Sequence, residues 1–346
     1  MGSHTGIVGT SRRRCLPVVG VMAAVAAVLW RAVPVGSVGA QDHYTYLRTV
    51  EYMQRGQDYY TAMRDAFGDL GTTIGHARAY RLPGIYLFWR AIPAEWLYGT
   101  FIVVVVLLTT YLLARASTTP WAALPVGLYL MAAGRIPWAA EGELRETWML
   151  VEFWAVPLVA GALLCWRRRQ WWWAAALLTL AALTREVTAP LLVGGLVAAH
   201  VGGLPRRPWL AGLGAFVTLF GVHLLVAGGH IDPPGNDAIL LGTGAPPGTV
   251  LDMTAWVLPG GVLAGVVLWF GAVERLYRRD RLELVFMAPL LLLPLTGLLV
   301  DRAYWGIVVV PFTLFYTAEL LGLLAARARS SDGHAEQTSR KVTPVA

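Results

Sequence analysis

Residues 148–203 read WMLVEFWAVPLVAGALLCWRRRQWWWAAALLTLAALTREVTAPLLVGGLVAAHVGG. Three apolar runs, 148–166, 171–186 and 187–203, follow one another here, and only the arginine cluster 167–169 and the Arg185–Glu186 pair interrupt them. Each run supplies most of the ~20 residues that a helix needs to cross the hydrocarbon of a bilayer. The stretch therefore predicts consecutive membrane-spanning helices that are joined by short turns.

The rest of the chain continues this pattern. Of the 346 residues 56% are hydrophobic and 14% are charged, whereas soluble domains carry roughly 25% charged residues. This composition excludes a disordered chain, a coiled coil and a typical cytosolic enzyme. Further apolar runs fall at 16–38, 98–115, 119–134, 208–228, 252–273, 282–300 and 303–324. The sequence predicts an all-α, polytopic transmembrane helix bundle with about ten spans.

Arginine clusters predict how the chain crosses the membrane. They lie at 12–14, at 167–169, at 206–207 and between 275 and 281. The positive-inside rule places all of them on the cytoplasmic side. We therefore expect a multi-pass protein of the plasma membrane with both termini in the cytoplasm. Residues 1–326 would form one transmembrane domain, and the polar residues 327–346 a disordered cytoplasmic tail.

The longest polar stretch, 41–97, is predicted to be an outer-face loop with a function, because it far exceeds the usual connection length. Apolar residues recur at helical spacing in 46–53 and again in 59–70. This periodicity predicts two amphipathic helices, which lie on the membrane interface with their aromatics towards lipid or form a cap packed on itself. Residues 82–97 are too short to cross comfortably and carry Arg90, so they are interpreted as an interfacial or re-entrant helix.

Charged residues next to apolar runs are the candidates for function, because charges in such places are costly and usually face a cavity or a partner. The outer-face groups are Asp42 with His43; Glu141, Glu143, Arg145 and Glu146, with Glu152 slightly deeper; Arg185 with Glu186; and Asp301 with Arg302. Carboxylates suit acid/base work and guanidiniums suit an anionic ligand such as phosphate. The alternative for each group is that the charges merely pair with one another.

Several other chemistries lack support in the sequence. The histidines and cysteines do not have the spacing of metal ligands, so no metal or other cofactor is predicted, although outer carboxylates could bind a divalent ion. Glycine-rich nucleotide-binding loops, the hydrolase nucleophile elbow and nucleic-acid-binding motifs are all missing.

Four segments resemble the GT-C superfamily of integral membrane glycosyltransferases. They are QDHYTYL directly after the first apolar run, GQDYYTAM within the long loop, RLPGIYLFW at its end and LTREVTAPLL at the outer end of a middle helix. The resemblance covers roughly the first 200 residues by pattern, and their order and sidedness are its most specific part. It implies transfer of a sugar from a polyprenyl-phosphate donor to a glycan, lipid or protein acceptor at the outer face, in the cell envelope.

The resemblance also implies roles for individual residues. Asp42 matches the family's catalytic acid and would act as general base in an inverting transfer. A second acid would be Glu141, Glu143 or Glu146. Arg185, helped by Arg302 or Arg81, would hold the carrier phosphate, and Glu186, His43 and Tyr80 complete the expected substrate-binding set. Two other functions stay open, namely a polytopic transporter and a non-catalytic membrane assembly protein.

Overall fold

The chain folds into a bundle of helices. The computed structural model describes residues 12–32, 38–39, 41–71, 74, 77, 80–135, 145–146, 148–231, 261–296 and 306–340. Helices account for nearly all the regular structure in these ranges, and two strands of two residues each complete it. The all-α fold class predicted from the sequence is confirmed.

The N-terminal part contains one long helix followed by the helices of the predicted loop. Its elements are α1 (Arg12–Ala32), β1 (Val38–Gly39), α2 (Gln41–Gln54), α3 (Tyr59–Gly68) and α4 (Gly84–Arg90). Helix α4 is only seven residues long, which gives a length of about 10 Å. A helix of that length cannot cross a hydrocarbon core of about 30 Å.

The remaining elements form the bundle. They are α5 (Ala94–Thr100), which continues through the π-helical turn Phe101–Leu107 into α6 (Leu108–Ala116), α7 (Leu124–Arg135), β2 (Arg145–Glu146), α8 (Val151–Arg167), α9 (Trp171–Thr184), α10 (Pro190–Val201), α11 (Arg207–Gly228), α12 (Gly261–Arg279), α13 (Arg281–Thr296) and α14 (Gly306–Arg340). Short turns at 168–170 and 185–189 connect α8, α9 and α10. The three apolar runs of residues 148–203 are therefore three successive helices, as their spacing predicts.

Small residues allow neighbouring helices to pack closely. A Cβ atom at Gly195 of α10 would lie 2.3 Å from the Trp209 ring of α11, and one at Gly194 would lie 2.5 Å from the Phe286 carbonyl oxygen of α13. Gly127 of α7 likewise meets Thr110 of α6. Such contacts are typical of helices that associate in membranes, where close van der Waals packing drives association.

Within the described residues, three helices are long and apolar enough to cross a membrane, Glu95–Ala116, Arg207–Gly228 and Val308–Ala328. Their length and composition are those of membrane-spanning helices. Shorter apolar helices also occur, such as Trp171–Thr184, which has 14 residues and a length of about 21 Å. The finer prediction of about ten spans is therefore not confirmed.

The bundle has two ends, each of which carries charged residues. Helix α8 begins next to Glu152 and finishes at Arg167, and these two residues are about 22 Å apart along its axis. We call the part of the molecule around Glu152, Arg185 and Glu186 the Arg185 end, and the part around Arg167 the Arg167 end.

The loop helices and the last helix each bear on an expectation from the sequence. The apolar stripe of α2 and α3 is buried in the protein, with Tyr46, Val50 and Met63 at most 3% exposed, so these aromatics do not face lipid. The alternative of a packed cap describes the loop better, because α2 packs on both α3 and α4. In addition, α14 continues to Arg340, where the sequence predicts disorder from residue 327. A helix that is already nucleated extends at little cost.

Candidate functional site

Arg185 occupies the turn between α9 and α10. Its backbone is extended, with φ −149° and ψ 111°, and its carbonyl accepts hydrogen bonds from the backbone amide and the hydroxyl of Thr188. Pro190 begins α10, a position at which its missing N–H group costs no helical hydrogen bond. The Arg185 side chain is directed into the protein, where the residue is 3% exposed.

Glu152 is the buried partner of Arg185. Its Oε1 lies 2.7 Å from Arg185 Nε, and both side chains are nearly inaccessible. The Arg185 Nε–H does not point along this contact, and Glu152 Oε2 has no hydrogen-bond donor among the described residues. The contact is therefore an ion pair without full hydrogen bonding. A buried charge needs such a partner, since an unpaired one is strongly destabilising.

Glu186 lies between two guanidinium groups. Its Oε1 is 2.6 Å from Arg185 Nη1 and 3.8 Å from Arg81 Nη1. The Glu186 side chain is 40% exposed, in contrast to 4% for Arg185 and 19% for Arg81. The pairing of Arg185 with its own neighbour, which the sequence left as the non-catalytic alternative, is thus present.

Arg81 connects this cluster to the loop helices. Its Nε donates to the Tyr46 hydroxyl of α2 at 3.4 Å, and the Tyr59 hydroxyl of α3 donates to the Arg81 carbonyl. We call Glu152, Arg185, Glu186 and Arg81 the outer charge cluster, after the face on which the positive-inside rule predicts it. The cluster contains two positive and two negative side chains, so its formal charge is zero.

Tyr80 does not join the outer charge cluster. Its hydroxyl donates to the His230 carbonyl at 2.8 Å, and its own carbonyl lies 3.2 Å from His223 Nε2. The Tyr60 hydroxyl is 3.0 Å from His223 Nδ1, and the Tyr60 ring stacks on His230. These contacts connect the loop 41–97 to the C-terminal end of α11. Nothing in the spacing of Tyr60, His223 and His230 along the chain predicts that they meet.

The segments around the predicted catalytic acids meet through their backbones. Strands β1 and β2 pair in parallel, with Gly39 opposite Glu146. Asp42 is the second residue of α2 and precedes Tyr46 by four residues, which corresponds to about 6 Å along the helix axis. The backbone of Asp42 is therefore one turn from the residue that contacts Arg81.

Several predicted residues cannot be placed further. The side chains of Asp42, His43 and Glu146 lie outside the described residues, and so do Glu141, Glu143 and Arg302 altogether. In the part of the chain that the structure describes, no three His, Cys, Asp or Glu side chains are grouped so that they could hold a metal ion.

A second buried charge cluster lies at the Arg167 end. Arg167 Nη2 is 2.6 Å from Glu283 Oε1, and Arg167 Nη1 is 3.2 Å from Glu319 Oε1. Arg275 and Arg279 also contact Glu319, each at 3.4 Å. From the sequence, these arginines indicate only which side of the membrane each loop faces. Their pairing could not be predicted, because Glu283 and Glu319 are far from Arg167 along the chain.

Comparison with known proteins does not assign the chain to a family, since no protein-family model and no curated protein matches it.

Proposed function

We propose that this protein is a membrane glycosyltransferase that moves a sugar from a polyprenyl-phosphate donor to an acceptor at the outer face of the membrane. The observation that carries the proposal is the outer charge cluster. Two guanidinium groups, Arg185 and Arg81, lie within reach of one carboxylate oxygen at one end of a bundle with membrane-type helices. The likeness of four sequence segments to GT-C enzymes supplies the reaction.

The proposal gives the bundle about ten crossings, with the Arg185 end outside and the Arg167 end in the cytoplasm. The contacts at the Arg167 end support this orientation. Arg167 and Arg279 belong to two arginine clusters that are far apart along the chain, and both contact Glu319. Two clusters that the positive-inside rule assigns to the same side of the membrane therefore lie together.

Arg185 and Arg81 would hold the phosphate of the donor. A guanidinium group stays charged at all accessible pH values, and its planar fork of N–H groups matches the oxygens of a phosphate. The departing polyprenyl phosphate gains negative charge as its bond to the sugar breaks. The negative charge develops on the phosphate oxygen that was bonded to the sugar. Fixed positive charges next to this oxygen stabilise the transition state more than the ground state.

Asp42 would act as the general base. It would take the proton from the acceptor hydroxyl while that oxygen attacks the anomeric carbon, and the polyprenyl phosphate would leave from the opposite face with the bonding electrons. Direct displacement of this kind inverts the configuration of the sugar. The short backbone path from Asp42 to Tyr46, and from there to Arg81, supports a common site for base and phosphate.

Sugar transfer by Asp42→Asn tests the proposal. The full chain in proteoliposomes is given polyprenyl-phosphate-linked pentoses and hexoses, and the release of polyprenyl phosphate is measured. A positioned general base contributes roughly 10²–10⁴-fold, so Asp42→Asn should lose at least about 100-fold while its insertion into the membrane is unchanged. The control Asp69→Asn removes an exposed acid that only accepts a hydrogen bond from Tyr52 and should keep full activity. Unchanged transfer by Asp42→Asn would instead support a transporter or an assembly protein.

A further inference from the structure

The two carboxylates of the outer charge cluster differ in their access to water. Glu152 is 3% exposed and contacts Arg185 Nε, whereas the Glu186 side chain is 40% exposed and contacts the outer Nη1 atom of the same guanidinium. The two acids therefore contact different nitrogen atoms of Arg185, and one of them is buried whereas the other is partly exposed to solvent. Moving Glu152 away would leave Arg185 without its interior partner, which is strongly unfavourable.

Glu186 can leave its position without disturbing the fold. The backbone of its turn is held by other groups, since the Ala189 amide donates to the Glu186 carbonyl and the Thr188 amide donates to Arg185. A rotation of the Glu186 side chain would break its contacts with Arg185 and Arg81 and the hydrogen bond from its own backbone amide. Arg185 would keep Glu152 as its counter-ion, so the buried guanidinium would not be left unpaired, and solvent can reach the partly exposed Glu186 carboxylate.

The place that Glu186 Oε1 occupies is suited to an oxygen of a phosphate. It lies 2.6 Å from one guanidinium nitrogen and 3.8 Å from a second. Carboxylate and phosphate oxygens accept the same charge-assisted hydrogen bonds from arginine. A singly charged phosphodiester that replaced the Glu186 carboxylate would also leave the charge balance of the cluster unchanged.

We propose that Glu186 is an internal competitor for the phosphate site, which occupies Arg185 and Arg81 when no phosphate is bound and is displaced when phosphate binds. Glu152 is the fixed counter-ion that keeps Arg185 in place in both states. This inference rests on the proposed function for the phosphate-binding role of the two arginines. It also gives Glu186 a role in turnover. The polyprenyl monophosphate that leaves after transfer carries more negative charge than the donor. The returning Glu186 carboxylate helps to release this product by taking its place on the arginines.

Binding of phosphate probes to Glu186→Gln tests this inference. The purified full chain in detergent is titrated with geranyl phosphate, with inorganic phosphate and with uncharged geraniol, and the dissociation constants are measured by calorimetry. Glutamine has nearly the same size as glutamate but no charge, so it competes more weakly with phosphate for the two arginines. We expect Glu186→Gln to bind geranyl phosphate at least about fivefold more tightly than the unchanged protein, since about 1 kcal/mol of lost competition corresponds to that ratio. Geraniol binding should not change.

A matched control separates this effect from a general change in surface charge. Glu95→Gln removes one exposed negative charge from the start of α5, at a residue for which no ion pair occurs within the described ranges. Its affinity for geranyl phosphate should equal that of the unchanged protein. The titration with inorganic phosphate shows whether the site recognises phosphate alone. In that case Glu186→Gln binds both inorganic phosphate and geranyl phosphate more tightly. If the lipid is also required, only the binding of geranyl phosphate is tighter.

Equal or weaker binding of geranyl phosphate by Glu186→Gln would overturn the inference, provided that its thermal unfolding matches that of the unchanged protein. If Glu186→Gln unfolds earlier, Glu186→Asp takes its place: the shorter acid should compete less and bind the probe more tightly. Absence of binding by every variant would also overturn the inference. The proposed reaction is judged independently, by whether Asp42→Asn loses sugar transfer.

Discussion

Asp58 shows how a single side chain sets a local structure in the loop. It is the N-cap of α3, and its carboxylate accepts hydrogen bonds from the amides of Tyr60 and Thr61 at 3.0 and 3.1 Å. These amides have no partner within the helix, so the cap supplies one. The hydrogen bond with the Thr61 side chain is the largest cause of the lowered pKa of Asp58; partial burial opposes it, and the two amides lower the pKa further.

The lowered pKa of Asp58 gives its cap a definite pH dependence. A carboxyl group whose pKa is lower in the folded state stabilises that state fully above its unfolded pKa of about 3.9. The contribution disappears as the pH falls through the lower, folded value. We expect Asp58→Ala to destabilise α3 by about 1 kcal/mol at pH 7, and the difference from the unchanged protein to shrink below pH 4. Hydrogen exchange of the Thr61 amide measures this, and a difference that does not depend on pH would contradict the capping role.

Only part of the outer charge cluster could be predicted from individual residues of the sequence. The Arg185–Glu186 pair could be predicted, because the two residues are adjacent in the sequence and lie in a short turn between two apolar runs. The contact of Arg185 with Glu152 and that of Glu186 with Arg81 depend on helix packing and on the return of the loop to the bundle. The sequence also includes Tyr80 in the substrate-binding set, and in the structure the Tyr80 hydroxyl donates a hydrogen bond to the His230 carbonyl.

At the scale of whole elements, the sequence predicts helices better than it predicts their surroundings. The periodicity of apolar residues is enough to predict α2 and α3. It does not tell whether the apolar stripe meets lipid or protein, because both partners are apolar. In the structure Tyr46 contacts Tyr86 and Trp89 of α4, so the loop buries its own aromatics. The sequence left this question open between the two alternatives.

Glu319 joins several helices at the Arg167 end. It lies on α14 and contacts Arg167 of α8 together with Arg275 and Arg279 of α12. The Glu319 side chain is 1% exposed, and the three arginines are about 5% exposed. Together with Glu283 it balances most of their positive charge, so removal of its charge would leave Glu283 as the remaining carboxylate beside three buried arginines.

We therefore expect Glu319→Gln to lower the free energy of unfolding by about 3 kcal/mol or more, as the loss of one partner from a buried ion pair does. Thermal unfolding of the purified protein in detergent measures the change. Glu274→Gln is the matched control, since Glu274 pairs with Arg278 and both are about half exposed; it should unfold close to the temperature of the unchanged protein. A small effect of Glu319→Gln would show that water reaches this cluster.

At the scale of the whole molecule, the two charge clusters occupy opposite ends of one bundle. Glu152 and Arg167 are at the two ends of α8, and each is paired with residues that are distant in the chain. Charges gather at both ends, and apolar side chains such as Leu210, Val217 and Leu225 of α11 are exposed between them. Exposed apolar surface on the flank of a bundle with charged ends is what a bilayer requires.

The proposed orientation predicts which residues can be labelled from outside the cell. Cys15 and Cys165 are first replaced by serine, and single cysteines are then introduced as Glu95→Cys, at the start of α5, and as Gln170→Cys, in the turn after α8; both sites are exposed. A membrane-impermeant maleimide applied to intact cells should label the cysteine at position 95 and leave the one at position 170 unlabelled until the membrane is permeabilised. The reverse pattern would place the Arg185 end in the cytoplasm and remove the outer-face reaction. Labelling of position 170 from outside only in the presence of a solute would favour the alternating access of a transporter.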